Sequence, residues 1–223
     1  IFNFLAKPIV EILTINGQEP DLIFTGLQQG FMVNIQISLF GGFILAFPFI
    51  GFQLWKFVAP GLYKSERGAF LPFLIASPIL FFIGASFAFY IVMPLAFDFF
   101  LGFQQDADGS IASAVGITYL GTINEYLGLS MKFIIAFGLC FQIPVLLTLM
   151  GKAGLVSSTG LAKVRKYAVV GILLLAAIAT PPDVITQIIL FSVVYALYEA
   201  SIFLVKLIEK KQKNSSRTSA DIG

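Results

Sequence analysis

The sequence predicts an all-α, polytopic membrane protein, and three observations carry that class. Of 223 residues, 58% are hydrophobic and 12% charged, whereas a soluble domain has about 25% charged residues. The 14 basic and 12 acidic side chains could not cover so much apolar surface in water. Apolar runs then recur at the length that hydrocarbon demands, about 20 residues for about 30 Å. Finally, the charges lie between those runs and change sign from one connection to the next. Disorder is excluded, because it needs low hydrophobicity and high charge.

The elements follow in order. Residues 1–26 lead in with Lys7, Glu11, Glu19 and Asp21, an acidic balance. Residues 27–55 form the first span, with Lys56 just past its end. In the next connection Lys56, Lys64 and Arg67 outweigh Glu66. Residues 69–97 form the second span, and Asp98, Asp106, Asp108 and Glu125 follow it with no basic residue. Residues 127–150 form the third span, carrying Lys132 near its start. The connection 151–166 holds Lys152, Lys163, Arg165 and Lys166 with no acid. Residues 167–180 and 184–205 form the last two spans, parted by Pro181, Pro182 and Asp183. Residues 1–205 thus read as a single transmembrane domain, and 206–223 as a polar tail with Lys206, Lys210, Lys211, Lys213 and Arg217.

Orientation follows from the positive-inside rule: basic connections and the tail face the cytoplasm, acidic connections the opposite side. Residue 1 is then outside, and it is Ile rather than Met. The economical expectation is the last five spans of a six-span protein, with an earlier span rising from the cytoplasm. The fourth span is short: residues 167–180 reach roughly 21 Å at 1.5 Å each. Local bilayer thinning or packing on neighbours would accommodate it. Snorkelling of Lys166 and Lys206, which lengthens the true spans, would do so equally well.

Composition also limits the chemistry. With no His, haem or zinc on histidine, Ser–His hydrolysis and a His proton relay are closed. Cys140 is the only cysteine, so the chain has no disulfide framework, no CxxC and no cysteine metal cluster, and its apolar setting marks it as packing. A net charge of +2 does not suggest nucleic-acid binding.

Polar residues inside hydrocarbon are costly and hence informative. They are Asn34, Gln36, Gln53, Gln142, Thr180, Gln187 and Glu199, with Lys132. Gln142 lies deepest, two residues before Pro144, where a missing backbone donor predicts a kink. It reads either as interhelical glue or as a polar wall of a cavity. Thr180 and Gln187 flank the Pro-Pro-Asp turn on facing helices, and Asp183 suits an N-cap. Glu199 would pair with Lys206 at i+7, and Lys132 would snorkel outward toward Glu125.

The connection after the first span is the richest. Pro60-Gly61 signals a turn, and Trp55 and Tyr63 suit the headgroup level. Glu66, a lone acid among cations, either pairs with Arg67 or Lys64 or presents a carboxylate to an incoming guanidinium.

At this point the chain resembles a known family. FQLWKFVAPGLYKSER, Pro72, YIVMPLAF, FGLCFQIPV, KVRKY and TPPDVITQ stand in the same order as in TatC proteins, the signal-recognising core of the twin-arginine protein translocase. The resemblance spans roughly residues 20–206. It implies a six-span, glove-like helical protein in the bacterial cytoplasmic (inner) membrane, with acidic loops periplasmic. Such a protein binds twin-arginine signal peptides of folded substrates, recruits TatA and TatB, associates with itself in a receptor complex, carries no cofactor and draws on the proton-motive force. By the same likeness, Glu66 would contact the arginine pair, with Phe57 in the same patch and Pro48, Gln53, Pro60, Leu62 and Tyr63 around it. Thr180, Gln187 and Asp183 would serve partner helices. Two departures stand out: the family often has glutamate where this chain has Gln142, and the family's N-terminal cytoplasmic segment is absent.

Two other classes compete. A secondary transporter or channel would show internal repeats, discontinuous helices and paired midplane charges, which the sequence does not display. An intramembrane enzyme would need nucleophile or metal chemistry that these residues do not offer.

Overall fold

The structure is a computed structural model, and it describes residues 1–15, 22–58, 71–102, 121–180 and 184–220. Nine α-helices and one π-helical turn make up the described secondary structure, with no strand beyond an isolated bridge. In order they are α1 (Phe2–Ile15), α2 (Gln29–Val58), α3 (Leu71–Phe87), the π turn Ala88–Val92, α4 (Met93–Leu101), α5 (Ile123–Cys140), α6 (Ile143–Lys152), α7 (Ser158–Lys163), α8 (Arg165–Ala179) and α9 (Val184–Ala220).

Four stretches are long and apolar enough to cross a membrane: Gln29–Gln53, Ile75–Leu101, Ile123–Lys152 and Val184–Gln212. Their outer surfaces carry large hydrophobic side chains, as lipid-facing helices require. The 15 residues of α8 fall short of that length. Residues 206–220, a polar tail by composition, instead continue the α9 helix. The chain divides into two compact units, Ile1–Ala46 with Ala85–Ile135, and Phe47–Gly84 with Ala136–Gly223.

The first unit contains an element that the span pattern does not predict. Along α1, Leu5, Ala6, Ile9 and Leu13 are buried, the spacing of one helical face. Lys7 and Glu11 form an exposed i,i+4 pair at 3.7 Å. The α1 helix packs on α4. Tyr126, fully enclosed, donates its hydroxyl to the Leu5 carbonyl, and Phe97 rests against the Tyr126 ring with centroids 4.9 Å apart. Phe4 stacks on Phe89 at 4.5 Å. Ile23 exchanges backbone hydrogen bonds with Gly121 (2.9 Å) and Ile123 (3.2 Å), tying the segment before α2 to the segment before α5. The π turn ends two residues before Pro94. Proline cannot donate to the carbonyl four residues back and crowds it; a wider turn relieves that strain without ending the helix.

The second unit is built on close helix approach. A methyl group on Gly138 would lie 2.6 Å from the Phe81 ring, and one on Gly84 would lie 2.7 Å from the Phe137 carbonyl and 2.8 Å from the Phe141 ring. Gly138 of α5 thus admits the ring of Phe81 from α3, and Gly84 of α3 admits that of Phe141 from the turn after α5. Phe47 stacks on Phe81 at 3.6 Å. Between α6 and α9 the same device recurs, since a methyl on Gly151 would meet Val205 at 2.8 Å. Small residues at such crossings are the usual route to tight packing in lipid, where no hydrophobic force draws helices together.

Candidate functional site

The expected third span is interrupted as its proline implies. Helix α5 ends at Cys140, Phe141 and Gln142 form a turn, and α6 begins at Ile143 with Pro144 in its first turn. Gln142 is buried and bonded at both ends of its amide: its Oε1 accepts from the Ser77 hydroxyl at 2.7 Å, and its Nε2 donates to the Ser77 carbonyl at 2.9 Å. Of the two readings open from sequence, the geometry favours interhelical glue, because both ends of the amide bond Ser77 of α3. Ser77 itself, one serine among many, carried no sequence signal; only the fold brings residues 65 positions apart together.

A second polar cluster joins α8 to α9. Arg165 grips Glu199 in a fork, Nε to Oε1 at 2.7 Å and the terminal nitrogen to Oε2 at 2.8 Å, a geometry that suits guanidinium and carboxylate. Tyr195 donates to the same Oε1 at 3.1 Å. This corrects the expected pairing of Glu199 with Lys206. Two helical turns separate those two residues, about 10 Å of rise, whereas Arg165 faces Glu199 from the neighbouring helix. Lys132 is exposed as expected, but no ion pair joins it to Glu125 among the described residues.

A third cluster organises the connection between α6 and α8. Gly154, at φ +72°, ends α6: its N–H bonds the Gly151 carbonyl at 3.0 Å and the Leu155 N–H bonds Met150 at 2.9 Å. That left-handed residue is the normal device for turning off a helix. Ser157 then caps α7 by accepting from the Gly160 N–H at 3.0 Å. The Glu209 carboxylate of α9 accepts from both the backbone N–H and the hydroxyl of Ser158. Tyr198 donates to the Leu161 carbonyl at 2.9 Å. None of these contacts is visible from charge patterning.

The remaining expected site residues are placed as follows. Pro48 is half-buried within α2, Gln53 is exposed near the end of α2, and Phe57 lies in its last turn. Pro60, Leu62, Tyr63 and Glu66 lie outside the described residues, as does Asp183 with its expected capping role. Thr180 is buried at the end of α8 and donates its hydroxyl to the Ala176 carbonyl at 2.9 Å. Gln187, half-buried in the second turn of α9, makes no side-chain hydrogen bond among the described residues. Leading up to Thr180, an apolar groove of ≈ 490 Å³ runs between α8 and the α5–α6 junction, lined by Leu139, Cys140, Ile143, Gly171, Leu174 and Ile178 among others. Among the described residues no cluster could hold a metal ion.

Comparison with known proteins agrees with this architecture. The family model described as Sec-independent protein translocase protein (TatC) matches residues 1–192. The Sec-independent protein translocase protein TatC of Magnetococcus marinus is 47% identical over 212 residues, covering 95% of this chain and 74% of its own. Its counterpart from Aquifex aeolicus is 38% identical over 219 residues, covering 96% and 84%. A crystal structure of the twin arginine translocase receptor TatC superposes with a TM-score of 0.76 at 38% identity, covering 93% of this chain and 86% of that one. A second, in the detergent DDM, gives 0.76 at 37% identity, covering 91% and 85%. The order of the spans, the motifs around Pro144 and the Pro-Pro-Asp turn, and these matches agree: this chain belongs to the TatC family, multi-pass membrane components of the Sec-independent protein translocase.

Proposed function

We propose that this chain is the signal-reading and partner-recruiting subunit of a twin-arginine translocase. The observation that carries the reading is its 38% identity, over 93% of its length, to a solved TatC named as the twin arginine translocase receptor. The connection between α2 and α3 contains one acid, Glu66, among Lys56, Lys64 and Arg67. A carboxylate there would hold a guanidinium of the signal bidentately, with Phe57, Pro48, Gln53, Pro60, Leu62 and Tyr63 forming its surroundings. The apolar stretch of the signal would then run along the spans.

Partner binding is assigned to the other end of α8. Thr180, Gln187 and Asp183 would meet the transmembrane helices of TatA and TatB. The groove along α8 is apolar, and the Gln187 amide retains hydrogen-bonding capacity, so a largely apolar helix with one polar contact would fit. With the basic connections and the α9 extension in the cytoplasm, Glu66 faces arriving substrates and the Thr180–Gln187 end faces the periplasm. The chain would reside in the bacterial cytoplasmic membrane and associate with itself in the receptor complex. Transport of folded cargo would be driven by the proton-motive force.

A crossed experiment tests both assignments. Glu66→Gln should lose crosslinking to a twin-arginine peptide while still co-purifying TatB, and Gln187→Leu should show the reverse. Wild-type peptide crosslinking in Glu66→Gln would overturn the signal site; unchanged TatB recovery in Gln187→Leu would overturn the partner site.

A further inference from the structure

We propose that the basic face formed by α7, the start of α8 and the α9 extension is a binding site for anionic phospholipid headgroups. The first ground is charge. Lys163, Lys166, Lys206, Lys210 and Lys211 are all exposed, and none takes part in an ion pair among the described residues. The two acids nearby are already engaged. Both oxygens of Glu199 are held by Arg165, and both oxygens of Glu209 accept from Ser158. The face is therefore left with cations.

The second ground is what stands beside the lysines. Leu155 is 73% exposed, Val164 43% and Tyr167 67%, and Lys166 lies over the Tyr167 ring at 5.1 Å. Outward apolar groups next to cations, at a point where helices leave the hydrocarbon, match the acyl–headgroup boundary: the side chains enter the bilayer and the ammonium groups meet phosphates. A soluble acidic protein would satisfy the lysines and leave Leu155 and Tyr167 in water.

The third ground is rigidity. The Gly154 turn, the Ser157 cap, the Ser158–Glu209 contact, the Tyr198–Leu161 bond and the Arg165–Glu199 fork fix the connection against α9. The lysines are thus presented as a set array, which a mobile loop of the same composition would not provide.

The test uses the whole chain in nanodiscs of phosphatidylcholine doped with phosphatidylglycerol, with retained lipid counted by native mass spectrometry. The wild type should retain phosphatidylglycerol preferentially. Lys163→Gln, Lys166→Gln and Lys206→Gln should each lower that preference by up to about fivefold, while Lys7→Gln on α1 leaves it unchanged. Ser158→Ala, which keeps every lysine, should lower it by a smaller factor. Wild-type preference in a variant carrying all three lysine substitutions would overturn the proposal. So would an unchanged Ser158→Ala, which would reduce the site to diffuse charge, or occupancy by soluble polyglutamate that phosphatidylglycerol fails to displace.

Discussion

Gln142 shows how far a single residue can be understood before its neighbours are known. Its depth and the adjacent Pro144 mark it from sequence, and the kink follows from the missing proline donor. Its role does not follow, because the choice between glue and cavity wall depends on what faces it. Ser77 faces it, with two hydrogen bonds. In this chain the position is a neutral clamp, its amide engaged on both sides. Interhelical hydrogen bonds in membranes average about 0.6 kcal/mol and reach about 1.7 kcal/mol. A double-mutant cycle of Ser77→Ala and Gln142→Leu, read by unfolding in SDS, should therefore give a coupling of about 1 kcal/mol. Independent, additive effects would show that the pair is incidental. The Arg165–Glu199 fork carries the complementary lesson. Spacing along one helix suggested Lys206, and only the neighbouring helix supplies the true partner.

At the scale of elements, legibility depended on which force sets the boundary. Helix α2 and the α5–α6 pair fall where apolar runs fall, because hydrocarbon thickness sets their length. The α1 helix was missed, since its amphipathic stripe of Leu5, Ile9 and Leu13 is too short for a span and gains its order by packing on α4. The continuation of α9 past residue 205 was missed for a related reason. Composition alone reads Lys206–Gln212 as tail, whereas Glu209 and Gln212 hold Ser158 and the Lys152 carbonyl. The α3–α5 crossing was equally hidden, because glycines are common in such spans and only geometry shows which ones admit a ring. Gly138→Val would force the Phe81 ring aside, and overpacking of this kind costs about 1–3 kcal/mol. The variant should lower the thermal midpoint in detergent, and Gly171→Val, at a position with open space, should not. Equal effects at the two glycines would remove the seam from the account.

For the whole molecule, the alternation of charge was the most informative feature of the sequence, and the structure connects like with like. The acidic lead-in meets the end of the acidic connection before α5 through the Ile23 backbone bonds to Gly121 and Ile123, and the basic connection after α6 meets the basic end of α9 through Ser158 and Glu209. Those contacts are what a chain threading the bilayer with its positive segments on one side would need. The proposed function rests on that arrangement, because on that reading Glu66 would receive a signal from the side where the lysines lie. The direct test is labelling of single cysteines, introduced at Glu66, Lys163, Lys210 and Thr25 after Cys140→Ala, with a membrane-impermeant maleimide in intact cells and in inverted vesicles. Residues 66, 163 and 210 should react together in inverted vesicles and residue 25 in intact cells. Reaction of 66 and 163 from opposite faces would contradict the orientation and the signal site built on it.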